Sequence, residues 1–283
     1  MLLLTLLCGT AAAVLRGFQL VNSFDPQTSL IEPGDPLTTA LIALSVLFVA
    51  GAAVYAFTAG GKKRPVKPLG KCWLAVEFAA LAALFAASAY DLYTGFSDKP
   101  MRLTVVCLGI LGLFAGAALL MIALSVNRLP FTSVTGFWAT APVFWACLTL
   151  IVDFWGHAGN PVRNTYVYGM LATVFCALAL YTAAGFFFGR VKPGRALLYA
   201  LPGVYFAALS AGGALLGGLI GDPLHTISFS ALLRLVFIAL HLSAAAAAVL
   251  YGRFTPPEPA EPEGAAEPEN TEAMENTEGT EDF

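Results

Sequence analysis

Six ionisable side chains stand inside otherwise apolar stretches of this sequence: Arg16, Glu77, Asp91, Asp153, Arg234 and His241. A charge at the centre of an apolar span costs about 2.5–3.5 kcal/mol and less near its ends, so such residues mark ion pairs, solute contacts or proton paths. At one helical rotation per 3.6 residues, Glu77, Ser88 and Asp91 share one face, and Ser230, Arg234 and His241 share another. Arg16, Asp91, Asp153 and Arg234 fall at one depth. Two acids and two bases at one level are either mutually neutralising ion pairs or a vestibule whose arginines hold an anionic group. Glu77 lies toward the other side, near Lys71 and Arg128, with His241 close to the midplane. Histidine is the one residue type among the six that commonly serves as a proton shuttle, so Glu77 and His241 form a candidate proton or polar relay.

Asp153 belongs to the stretch FWATAPVFWACLTLIVDFWGH, residues 137–157. Helical projection gathers Thr135, Ala139, Pro142, Ala146, Thr149 and Asp153 on one stripe and Phe137, Phe144 and Trp155 opposite it, with Trp138 and Trp145 to one side. Small and polar residues turn to neighbouring helices and large apolar ones turn outward. The aromatics therefore read as mostly outward-facing, and Asp153 as inward.

The elements that must carry these groups follow from composition. The chain is 58% hydrophobic and 12% charged, against about 25% charged in soluble domains. Eight segments reach the roughly 20 apolar residues of a spanning helix: 2–22, 37–57, 72–93, 103–126, 134–156, 165–188, 196–219 and 229–251. The expected fold is an all-α integral membrane bundle of about eight transmembrane helices over residues 1–253. The first segment lacks a basic leader and reads as a retained span. Residues 254–283 hold ten of the eighteen acids, none of the fifteen bases, and ENTE twice. That composition predicts a disordered acidic tail, whose protein partner is unknown.

Charge bias orients the spans. Lys62, Lys63, Arg64, Lys67 and Lys71 crowd one loop, and alternation places Arg128, Arg190, Lys192, Arg195 and Arg253 on the same side. The expectation is both termini cytoplasmic, in a prokaryotic cell membrane. The five-cation loop is a candidate contact for anionic lipid head groups.

Gly213, Gly217 and Gly221, and likewise Gly112 and Gly116, recur every fourth residue, a pattern for close helix approach. Pro202–Gly203 suggests a kink or break in the seventh span. VKP at 66–68 and 191–193 and FAAL at 78–81 and 206–209 suggest a 4+4 parallel repeat. The cysteines Cys8, Cys72, Cys107, Cys147 and Cys176 read as small apolar packers.

No P-loop, HExxH or GxSxG motif and no metal-ligand spacing occurs, so the sequence leans away from an enzyme and implies no cofactor or metal. His157, Asp222 and His225 are scattered too widely for a convincing metal site. Nucleic acid is excluded as a partner. The best functional expectation is a permease or solute-binding membrane component for a small polar or anionic solute. The alternative is a non-transporting subunit, sensor or scaffold with structural charges and a partner-binding tail.

Overall fold

The computed structural model describes residues 1–25, 30–31, 34–60, 69–98, 102–125, 133–158, 164–188, 192–221 and 227–252. The elements are α1 (Leu2–Asn22), α2 (Pro36–Gly60), α3 (Lys71–Ser97), α4 (Leu103–Ser125), α5 (Ser133–Trp138), α6 (Ala141–Ala158), α7 (Val167–Phe187), α8 (Pro193–Ile220) and α9 (Phe229–Leu250), with a 3₁₀ turn at Asn164–Tyr166. Eight helical segments, α5 and α6 forming one, are long and apolar enough to cross a membrane. Their exteriors expose large apolar side chains such as Leu47, Phe57 and Leu219. The architecture is consistent with a multi-pass membrane protein. The cations Lys62, Lys63, Arg64, Lys67, Arg128 and Arg190, and the tail, lie outside the described residues.

Helix ends follow local chemistry. Asp35 accepts from the Thr38 backbone N–H at 2.7 Å, and Pro36 supplies a first helical residue that has no N–H to lose. Ser228 caps α9 by accepting from the Ala231 N–H at 3.2 Å. Gly221 closes α8 with φ of +108°, so it is a left-handed C-cap rather than part of a packing stripe.

Helix α8 is the axis of the bundle: α1, α2, α7 and α9 all pack on it, and residues 200–207 are buried without interruption. Small residues permit this. A Cβ on Gly213 would lie 2.5 Å from Arg16 Cγ, and one on Gly17 would lie 2.8 Å from Leu216 Cβ. Gly112 faces Ser88 and Gly116 faces the Phe85 ring, so both glycine pairs serve internal packing.

The span that breaks at a proline is not the seventh, as the sequence suggests, but the fifth. Helix α8 runs unbroken through Pro202, which the packed neighbours on all sides hold in line. The fifth span breaks instead. Pro142 has no N–H to offer the Trp138 carbonyl, and its ring would crowd that carbonyl. The chain turns at Ala139–Thr140, and Val143 N–H restarts the ladder on Thr140 O at 3.0 Å.

The inward stripe is observed, with Ala139, Pro142, Ala146 and Thr149 buried. Phe137, Phe144 and Trp155 are exposed as expected, but Trp145 is 1% exposed and meets Phe237 edge-on at 5.3 Å between ring centres. Of the cysteines only Cys176 is buried; Cys72, Cys107 and Cys147 lie on the exterior. Neighbouring spans pack alike in the two halves, α3 on α4 as α8 on α9, but one long-range pairing differs. Helix α1 lies along α8, whereas α6, its counterpart in the second half, packs on α4 and α7 rather than along α3.

Replacing Gly213 by leucine should force α1 from α8 and destabilise the bundle by about 1–3 kcal/mol. Gly218→Ala, at a position with nothing within 4 Å of the added Cβ, should be neutral. Thermal unfolding in detergent distinguishes the two.

Candidate functional site

Calling the end of the bundle that carries Leu2 and Leu250 basal and the other distal, the charged groups sort by depth. Helices α3 and α9 pair in opposite directions, bringing their two polar faces together. Toward the distal end Arg234 stands between two carboxylates, with Nη2 3.4 Å from Asp153 Oδ1 and Nη1 3.9 Å from Asp91 Oδ2. Its Nη1 is buried and makes no hydrogen bond among the described residues. The fixed donor fork of a guanidinium is therefore incompletely used.

Basally, His241 Nδ1 and Glu77 Oε1 are 2.7 Å apart, and the imidazole stacks on Phe237 at 5.2 Å. Glu77 thus takes His241 as a partner, while Arg128, named with it above, lies outside the described residues. The Glu77 Oε2 has no hydrogen-bond partner among the described residues. The two polar centres are not joined. Seven residues of α9 separate Arg234 from His241, about 10 Å along the axis, and the buried Phe237 and Trp145 rings fill the interval.

Arg16 leaves the expected four-residue cluster. It donates to Gln19 Oε1 and, at 2.9 Å, to the Thr165 carbonyl. Its guanidinium also lies over the rings of Phe24 and Tyr168, 5.5 and 5.1 Å from their centres. Gln19 passes a hydrogen bond to the Thr38 hydroxyl, which donates to Asp35 Oδ2 at 2.6 Å. Arg16 is thereby tied to the cap of α2.

Arg16, Asp153 and Arg234 nevertheless line one distal cavity of about 210 Å³, together with His157, Thr173 and Ser210. Asp91 is absent from its lining and lies behind Arg234. His157 stacks on Tyr166 with ring centres 4.0 Å apart, and its Nδ1 lies 2.6 Å from the Asp153 carbonyl. No group of three or more metal-ligating side chains occurs among the described residues; Asp222 and His225 lie outside them. The cavity offers two guanidiniums, one carboxylate and several hydroxyls within an apolar bundle, a set suited to holding a small anion or zwitterion. Sequence reasoning missed Gln19, Thr38, Thr165 and Tyr166. Gln19, one turn beyond Arg16 on the same helical face, was the available signal.

Compared with known proteins, the chain matches no family model, and no curated protein and no solved structure matches it.

Asp35 stands outside the apolar spans. Burial alone would raise its pKa, but hydrogen bonds from the Thr38 hydroxyl and the Thr38 and Leu37 N–H groups outweigh that and hold it below the ordinary 3.8. A depressed carboxylate contributes stability that is complete above pH 3.8 and is lost as pH falls through the folded value. Asp35→Asn should lower thermal stability at neutral pH and flatten its fall below about pH 4, because the variant lacks the contribution that the wild type loses there.

Asp153→Asn and Arg234→Gln should each destabilise, because each leaves a mostly buried partner short of its counter-charge. The double variant should recover part of the loss, with a coupling of about 0.5–3 kcal/mol in a double-mutant cycle.

Proposed function

We propose that this is a multi-pass membrane protein that binds a small polar or anionic solute in the distal cavity, as a permease or as the solute-binding component of one. The observation that carries the reading is the convergence of Arg16 from α1 and Arg234 from α9 on one partly enclosed space beside Asp153. Anchoring two guanidiniums in an apolar bundle is costly unless they are paired. Here each pairing leaves the residue at a cavity wall, where a carboxylate or phosphate oxygen completes the guanidinium geometry.

Orientation supports entry from outside. Among described residues the basal end carries Lys71, Lys192 and Arg195, and the distal end carries Asp25, Asp35 and Asp98 beside Arg102. By the positive-inside rule the basal end, with both termini, is cytoplasmic and the cavity opens outward. A prokaryotic cell membrane suits this arrangement. The loop cations Lys62, Lys63, Arg64, Lys67 and Lys71 would then meet anionic lipid head groups.

One observation favours the second reading, a non-transporting subunit or sensor: Asp91 and Asp153 flank Arg234 as a purely structural network would. Ligand response separates the two. A panel of small carboxylates, phosphates and zwitterions should contain a member that raises the melting temperature of the wild type. A ligand at a hundred times its Kd stabilises by about 2.7 kcal/mol. Arg234→Gln, where folded, should abolish that shift. A panel without effect, together with a melting loss in Arg234→Gln alone, would assign the charges to structure.

A further inference from the structure

A second cavity lies at the basal end, between α6, α7 and α8, and its chemistry differs from that of the distal one. We infer that this cleft binds an anionic phospholipid, with the phosphate at Lys192 and Arg195 and an acyl chain against Phe144 and Leu178. The inference goes beyond the solute reading; it rests on the membrane placement and orientation proposed above and not on the distal cavity.

The break in the fifth span helps to make the cleft. Helix α5 is set against the end of α7, where Gly136 meets Phe187 and Phe188. The turn before Pro142 leaves Thr140 and the exposed Phe144 ring on the wall of a space of about 720 Å³. No acidic side chain lines it, and neither Lys192 nor Arg195 enters an ion pair among the described residues.

Position makes these two cations unusual. Lys192 is the N-cap of α8 and Arg195 lies in its first turn, where the helix dipole is positive and two cations are of the wrong sign. A bound phosphate relieves both the dipole and the mutual repulsion of the side chains. The wall below is mainly apolar, formed by Val143, Phe144 and Leu178, with hydroxyls from Tyr181 and Thr182. Leu178, which is 38% exposed, stands ten residues before Phe188, about 15 Å deeper along α7. That depth is about half of a 30 Å hydrocarbon core, one leaflet. A cationic rim above a leaflet-deep apolar wall fits a lipid better than a soluble anion, which would leave the wall unused.

The test uses the full chain in neutral detergent, with lipid retention read by native mass spectrometry and stability by thermal unfolding. Phosphatidylglycerol should bind and raise the melting temperature, and phosphatidylcholine should not. Lys192→Gln/Arg195→Gln should weaken phosphatidylglycerol binding roughly tenfold or more. Leu178→Trp, which keeps both charges and changes an exposed position, should weaken it as well. Arg102→Gln, which removes an exposed cation at the distal end, should retain it. Equal binding of phosphatidylcholine, or binding that survives the double substitution, overturns the proposal. Full binding in Leu178→Trp means diffuse attraction to the basal surface and overturns it too. So does an equal shift from glycerol 3-phosphate, which would identify a soluble-anion site. Should the double substitution fail to fold, Arg195→Gln alone and Leu178→Trp decide the matter.

Discussion

In a bundle whose exterior is apolar, a polar side chain has no water to fall back on and must find its partner inside. Most of the architecture follows from that constraint. The acid–base residues sit on helix interfaces rather than outer faces, and the helices carrying them pair face to face. Glu77 with His241, and Asp91 with Arg234, are two rungs between the same antiparallel helices, α3 and α9. The buried Phe237 ring, met edge-on by Trp145, lies between the rungs along α9, and among the described residues no hydrogen bond links one rung to the other. Hydroxyls obey the same rule more cheaply: Ser45, Ser88 and Thr149 each return a hydrogen bond to the carbonyl four residues earlier.

Where the partnering is incomplete, chemistry becomes available. Arg234 has two carboxylates within 4 Å yet leaves Nη1 without a hydrogen bond. Arg16 is held by an amide, a carbonyl and two aromatic faces, contacts that fix its position. Both arginines are therefore positioned before any solute arrives. Preorganisation of that kind lowers the cost of binding, because little side-chain freedom remains to be lost.

The fold was legible wherever periodicity and length decide it. The eight apolar segments coincide with the eight long helical units, and the shared faces of Glu77 with Asp91, and of Arg234 with His241, are the faces that meet. Legibility failed where a distant neighbour decides. Arg16 takes a carbonyl from Thr165, 149 positions away, which no local pattern encodes. Pro202 and Pro142 look alike in sequence, but one is clamped by helices on every side and the other lies beside a short, offset segment. Both prolines are buried, so it is the position within the packed helix, not burial, that differs: four helices pack on α8, whereas Pro142 follows directly on the turn at Ala139–Thr140. Trp145 was misplaced for a related reason. Helix α6 packs on both α4 and α7, so its outward arc is narrower than one aromatic face would suggest.

Glycine and proline positions also distinguish the two ends of the molecule. At the distal end the α1–α8 contact through Gly17 and Gly213 is too close to admit a side chain, and a cavity of about 210 Å³ lined by Arg16, Asp153 and Arg234 lies beside it. At the basal end the fifth span is interrupted before Pro142, and Thr140 and Phe144 line a cleft of about 720 Å³ between α6, α7 and α8. Charges held within the bundle interact more strongly than they would in water, since screening weakens as the surroundings become apolar. The glycines and prolines shape each space, and the charged residues give it its chemistry.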